Sequence, residues 1–271
     1  MRERIFEAVK AVKEKQPLVH NITNQVVMNF TANGLYSLGA LPVMAHEPRE
    51  VAEMAQGADA LVLNIGTLTE ETLESMIIAG QAANQKGIPV VFDPVGVGAT
   101  QFRSESAKQI LAKVDVSFIR GNTGEISHLA GLEATMRGVD SSGHYDGRQI
   151  IKEALERLKV PIVMTGKTDY IANDDTIFKV ANGTELLTKV TGAGCLLSAV
   201  VAAFLTVEDA SVHAATAAVS YFTVAAERAA EKTQKVGQFQ IAFLDALNET
   251  TIADLDNRLD LKQESVSLYG V

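Results

Sequence analysis

The chain has 271 residues, 47% of them hydrophobic and 21% charged, which suits one large core in a single domain spanning residues 1–271 better than two small ones. Its net charge of -9 excludes the basic stripe that displaces counterions from a nucleic acid, so any phosphate site must be local, built from backbone amides, a metal ion and a few cations such as Arg120. The single cysteine, Cys195, excludes an internal disulfide and a multi-cysteine metal centre, and it suits a reducing cytoplasm.

Residues 1–15 interleave charge with Ile5, Phe6, Val9 and Val12 at helical spacing, which predicts an amphipathic first helix and not a secretory signal. Apolar runs then alternate with longer helical patterns: Leu61-Val62-Leu63, Pro89-Val90-Val91-Phe92, Val116-Ser117-Phe118-Ile119 and Pro161-Ile162-Val163-Met164. Continuous apolar strands are those buried on both faces of a parallel sheet, and segments such as residues 70–86 are long enough to be crossover helices. Three polar segments follow these runs: Asp93-Pro94-Val95-Gly96-Val97-Gly98, Arg120-Gly121-Asn122 and Thr165-Gly166-Lys167. Ligands of open α/β sheets gather beyond the carboxyl ends of the strands, so all three segments are expected to face one cleft. Asp93 before Pro94 is equally a turn starter and an oxygen ligand for magnesium. Asn122-Thr123-Gly124-Glu125 likewise reads as a capping box or as an amide and carboxylate around the water shell of that ion. Residues 137–147, rich in glycine, serine and aspartate, are the expected mobile stretch.

Residues 169–189 carry turn signals at Asn173-Asp174-Asp175 and Asn182-Gly183 and predict antiparallel strands at one edge of the sheet. The predicted architecture is therefore α/β, a three-layer α/β/α sandwich around a mostly parallel sheet with antiparallel edge strands. Next, Thr188-Lys189-Val190-Thr191-Gly192-Ala193-Gly194-Cys195 forms a glycine-bearing turn into a helix expected to begin at Leu196. Such a junction lets backbone amides and the positive end of a helix dipole approach an anion. A bare Gly-x-Gly arises about once by chance in a chain of this length, so its weight comes from its company. Cys195 sits where the dipole lowers a thiol's pKa, which predicts a reactive thiol; the alternative is an inert buried cysteine. Residues 196–232 are alanine-rich helices, and the apolar stretch 195–207 is too short to span a bilayer. His20, His46, His128, His144 and His213 show no metal-ligand spacing, and His128 and His213 read as ordinary helix residues.

Taken together, the Thr191-Gly192-Ala193-Gly194-Cys195 turn, the Asn122-x-x-Glu125 pair and the Asp93-Pro94-Val95 loop resemble the ribokinase-like superfamily. The block His20-Asn21-Ile22-Thr23-Asn24, followed by Asn29, Ala32-Asn33, Gly39-Ala40 and Pro42-Val43-Met44-Ala45, is similar to its hydroxyethylthiazole kinase branch; the resemblance runs from about Pro17 to Ala230. It implies transfer of the γ-phosphoryl group of ATP to the primary alcohol of 4-methyl-5-(2-hydroxyethyl)thiazole for thiamine salvage, with magnesium as cofactor, and a homotrimer with thiazole sites between subunits. By matching position, Arg120 and Thr165 resemble the family's ATP contacts, and Met44 and Gly192 its thiazole contacts, the methionine largely through its backbone. Asn24 and Val26 are the expected further wall residues, and Asp93 and Glu125 the organisers of magnesium. Most of the superfamily has an aspartate base where this branch has a cysteine. Because phosphoryl transfer demands chiefly alignment and charge neutralisation, the amides of Gly192, Ala193, Gly194 and Cys195 are assigned the larger share of catalysis, and the Cys195 thiol the lesser role of orienting or deprotonating the alcohol.

Three rival readings share the phosphate turn: a hydroxymethylpyrimidine kinase, an ATP-dependent dehydratase of hydrated nicotinamide cofactors, and a nucleotide sensor without catalysis. The two enzymes leave the block from His20 to Ala45 unexplained, and retention of Asp93, Glu125 and the complete turn weighs against the sensor.

Overall fold

The computed structural model describes residues 1–132, 146–208 and 211–266; most of the stretch expected to be mobile, and His144 within it, lies outside the described residues. The elements in chain order are α1 (Arg2–Lys15), β1 (Leu18–Ile22), α2 (Met28–Leu38), β2 (Leu41–Val43), α3 (Val51–Gly57), β3 (Ala60–Asn64), α4 (Glu70–Lys86), β4 (Val90–Asp93), α5 (Gln101–Lys113), β5 (Phe118–Asn122), α6 (Thr123–Leu129), α7 (Gly147–Leu158), β6 (Ile162–Thr165), β7 (Asp169–Ala172) and β8 (Thr176–Val180). A 3₁₀ turn at Glu185–Lys189 leads to α8 (Ala193–Phe204), α9 (Ser211–Lys232), α10 (Val236–Glu249), α11 (Ile252–Arg258) and β9 (Leu261–Ser265). They form one nine-stranded sheet of order β2-β1-β3-β4-β5-β6-β7-β8-β9, parallel through β6 and antiparallel from there to β9.

Side chains along a strand alternate between the two faces. Val62, Val91, Phe118 and Val163 enter the core shared with α1, α2, α8, α9 and α10, while Leu61, Leu63, Phe92, Ile119, Ile162 and Met164 enter the core beneath α3 to α7. The same alternation decides where the site lies. Asn64, Asp93, Arg120 and Thr165 stand two residues after Val62, Val91, Phe118 and Val163, so all four emerge on the α8 face at the carboxyl ends of their strands. Register completes the alignment, pairing Asn64 with Asp93 and Asn122 with Thr165 on adjacent strands.

Several boundaries differ from the sequence reading. β5 runs three residues beyond the apolar run that ended at Ile119, so Arg120 belongs to the strand and not to a loop after it. The helix expected to begin at Leu196 begins at Ala193, because Gly192 adopts φ +89° as its N-cap and turns the chain early. β1 and β2 have no counterpart among the predicted strands: the polar His20 and Asn21 interrupt the apolar run of β1, yet both are fully buried. β9 is a charged edge strand whose Glu264 meets Lys179 of β8 at 2.7 Å, and an edge strand carries no apolar signature. The hairpin at Asn173 forms as expected, with its side chain accepting from the amides of Asp175 and Thr176. Asn182, in contrast, braces the chain by accepting from the Asp260 amide and donating to Glu227. Among the described residues no helix is long and apolar enough to cross a membrane.

Candidate active site

Asp93 is completely buried under the start of α8. Its Oδ2 accepts from Asn64 Nδ2 and from Ser198 Oγ, each at 2.8 Å. Its Oδ1 has no hydrogen-bond partner and lies 3.8 Å from Arg120 Nη1. Burial pushes the Asp93 carboxyl up to about 6 despite the attraction of Arg120, and nearby Glu125 adds to the rise. Arg120, 9% exposed, donates from Nη2 to Thr165 Oγ1 at 2.8 Å, while its Nε finds no partner. A second buried carboxylate, Asp169, accepts the Gly166 amide at 3.0 Å and is also pushed up to about 6 by burial, against the lowering effect of the same guanidinium.

The glycine turn closes over this charge cluster. A Cβ built on Gly194 would lie 2.4 Å from Arg120 Nη1, so the backbone of the first turn of α8 rests directly against the guanidinium. Gly192 has no side chain to cap the first amides of α8, which leaves the helix's positive end open to an anion. The corner, Asp93 and Arg120 are thus one site, as the three polar segments predicted. Gly194→Ala is expected to displace the guanidinium while leaving the fold intact, because alanine suits a helix and only the mobile end of a side chain must yield. A loss of about tenfold or more in activity, with an unchanged melting temperature, is the expected pair of results.

Cys195 is the third residue of α8, and Asn24 Nδ2 donates to its Sγ at 3.3 Å. The thiol is not the low-pKa group that its place at a helix start suggested. Burial, reinforced by the Asp93 charge, pushes it up to about 11, and hydrogen bonds from Asn64 and Asn24 only partly oppose this. A raised pKa favours the thiol form at neutral pH and weighs toward orienting the alcohol over deprotonating it.

Asn24, expected as a wall residue, is buried and also donates to Asn64 Oδ1 at 3.1 Å. Asn64, in turn, is the residue the sequence reading missed: it joins Asn24 to Asp93 through one carboxamide. Its signal was available, because it closes the Leu61-Val62-Leu63 run as Asp93 closes the next. Ser198, one turn beyond Gly194 in an otherwise apolar helix, was the other available sign.

The remaining expected residues fall as follows. Val26 is 70% exposed, and the neighbouring Val27 packs against Gly192, 2.5 Å from a Cβ built there. Met44 follows β2 at the sheet edge and is half-buried. The next residue, Ala45, is held by its carbonyl accepting from His20 Nε2 at 2.9 Å. His46 lies within hydrogen-bond reach of the Thr23 backbone, so the ends of β1 and β2 are laced together beside Asn24. Burial holds His20 down at about 4 and therefore neutral.

Of the two open readings of Asn122 and Glu125, the capping box is observed. They form a reciprocal capping box, each side chain meeting the other's backbone amide at 2.9 Å. The second Glu125 oxygen accepts the Gly96 amide at 3.0 Å and so ties α6 to the loop after β4. Among the described residues no three potential ligands cluster tightly enough to enclose a metal. The donor set instead fits a magnesium ion that keeps most of its waters, with Asp93 Oδ1 as the buried oxygen lacking a partner and Glu125 beside it.

A three-layer sandwich that sets an open helix N-terminus, a buried arginine and a buried aspartate at the carboxyl edge of a parallel sheet defines a ribokinase-like kinase. The same fold occurs in a ribokinase-like superfamily protein from Enterococcus faecalis, with a TM-score of 0.64 at 13% identity over 92% of this chain and 94% of the other. A hydroxyethylthiazole kinase protein from Pyrococcus horikoshii superposes with a TM-score of 0.89 at 40% identity, covering 97% of this chain and 99% of its own. A hydroxyethylthiazole kinase of Shouchella clausii is 49% identical over 246 residues, 90% of this chain and 95% of that one. The model of the hydroxyethylthiazole kinase family matches residues 9–253. The chain belongs to the hydroxyethylthiazole kinase family.

Proposed function

We propose that the chain transfers the γ-phosphoryl group of ATP to the primary alcohol of 4-methyl-5-(2-hydroxyethyl)thiazole, giving the thiazole phosphate and ADP, within thiamine salvage. One observation carries the reading: the Arg120 guanidinium touches Gly194 and faces Asp93, while Asn24 and Cys195 meet at the same corner. Arg120 and Thr165 hold the phosphates, the guanidinium matching paired oxygens with its planar fork. The open amides of α8 and Arg120 neutralise charge on the migrating group, where a loose transition state demands it most. Asp93, with a water shell beside Glu125, would hold a magnesium ion, which would supply further charge neutralisation of the phosphates. Asn24 and the protonated Cys195 orient the alcohol oxygen. The O–P bond to the alcohol forms as the bond to ADP breaks, and the hydroxyl proton leaves late, to a phosphoryl oxygen or solvent.

Met44, Gly192, Asn24 and Val26 line the thiazole side in this reading, with sites completed between the subunits of a homotrimer. The exposures of Val26, Tyr36 and Leu41, 70%, 61% and 40%, support it, since these apolar side chains lie just before α2, within α2 and at the start of β2, where a partner subunit would cover them. The unbroken strand order supports one ribokinase-like domain over residues 1–271, and the lone free thiol supports a cytoplasmic location.

Measuring ADP release with the thiazole alcohol, hydroxymethylpyrimidine and a hydrated nicotinamide cofactor side by side, with and without magnesium, tests the proposal. Release confined to the thiazole alcohol and dependent on magnesium is expected; release with either rival and none with the thiazole overturns it. A thiol at about 11 also fixes a pH result. Between pH 7 and about 9.5, kcat is expected to show no limb belonging to Cys195, and Cys195→Ser to stay within about tenfold of the parent protein. A limb near the ordinary thiol range that vanishes in the serine variant contradicts the orienting role.

A further inference from the structure

We infer that Arg103 is a positioning residue for this reaction, a staple that holds the two loops of the site in register; the inference deepens the kinase reading and rests on it. Arg103 lies in the first turn of α5, where a cation opposes the helix dipole. Among the described residues it forms no ion pair with a carboxylate. Its guanidinium instead donates to three backbone carbonyls: Nη1 to Ile65 and, at 2.8 Å, to Val95, and Nη2 to Gly66 at 2.6 Å. Two of these acceptors follow β3 and the third follows β4, so one side chain bridges both loops. A planar fork can serve three carbonyls at fixed angles; an ammonium on a flexible stem cannot.

Both loops carry chemistry. The Gly66 amide donates to Asn64 Oδ1 at 2.9 Å, and a Cβ on Gly66 would meet Asn24 at 2.7 Å, so this loop sets the alcohol side. The other loop begins at Asp93 and reaches Glu125 through the Gly96 amide at 3.0 Å, so it sets the phosphate side. Arg103 fixes the distance between acceptor and donor without touching either. With its Nη atoms engaged by carbonyls, it serves as a brace and not as a phosphate ligand.

The test uses the full chain with Arg103→Lys and Arg103→Ala. Expected is a fall in kcat of about 30-fold to 100-fold in the alanine variant and at least about tenfold in the lysine variant, with KM for ATP and for the alcohol each within about threefold of the parent. Guanidinium chloride at millimolar concentration is expected to restore kcat several-fold in Arg103→Ala alone. Amide hydrogen exchange of residues 65–66 and 95–98 is expected to accelerate in Arg103→Lys with no substrate present. If both variants keep kcat within threefold, or if KM for ATP alone rises, the brace is wrong. Unchanged exchange in both loops rejects it too. If Arg103→Ala fails to fold, the lysine variant decides. Should the parent protein fail to phosphorylate the thiazole alcohol while exchange still accelerates, the substrate reading falls and the brace stands.

Discussion

Asp93→Asn is expected to lower kcat by about 10³-fold while leaving the protein at least as heat-stable as the parent near pH 7.5. The two effects have one cause. Asp93 is fully buried, and its carboxyl rises from 3.8 to about 6 in the folded chain, so the folded state holds the proton more tightly than the unfolded one. The stability linked to that proton is complete below pH 3.8 and is lost as pH rises through about 6. An asparagine never ionises and escapes the loss, yet it can still accept from Asn64 and Ser198. What it cannot supply is a bare anionic oxygen opposite Arg120. The turnover number by coupled ADP release and melting temperatures at pH 5 and 7.5 check both halves. Activity within tenfold of the parent removes Asp93 from the reaction. In the free parent enzyme, kcat/KM is expected to fall below about pH 6 as Asp93 takes up its proton.

Arg120→Ala is expected to lower kcat/KM for ATP by about 10²-fold to 10³-fold, with KM for the thiazole alcohol within about threefold. Both Asp93 and Asp169 lose the cation that lowers their pKa, so the acid limb of the profile moves to higher pH in this variant. Arg120→Lys restores the charge but not the fork that reaches Thr165 and Asp93 together, so it regains at most about tenfold of the loss. Equal damage toward both substrates, or an unmoved acid limb, contradicts the assignment of Arg120 to the phosphate side.

Much of this site was legible residue by residue. Asp93, Arg120, Thr165 and the glycine turn each follow or close an apolar run, and the rule that ligands gather at the carboxyl ends of parallel strands was enough to bring them together. For Cys195 the helix start pointed to a lowered pKa, whereas burial and the Asp93 charge raise it. A helix start favours a thiolate and burial disfavours it, and this thiol is buried beside the Asp93 carboxylate. Glu125 shows the opposite case, since the capping box was legible in the sequence and its second oxygen also ties the loop after β4 to α6.

By itself the sequence determined the alternation of buried strands and helices, the polar residues at their carboxyl ends and the family to which the chain belongs, because these depend on periodicity and on residues adjacent in the chain. Only the tertiary structure decided that Asn64 joins Asn24 to Asp93, that the Arg103 guanidinium bridges two loops, and that burial pushes the Cys195 thiol's pKa up. Those outcomes depend on strand register and on how completely α8 shuts water out, which arise from contacts between residues far apart in the sequence.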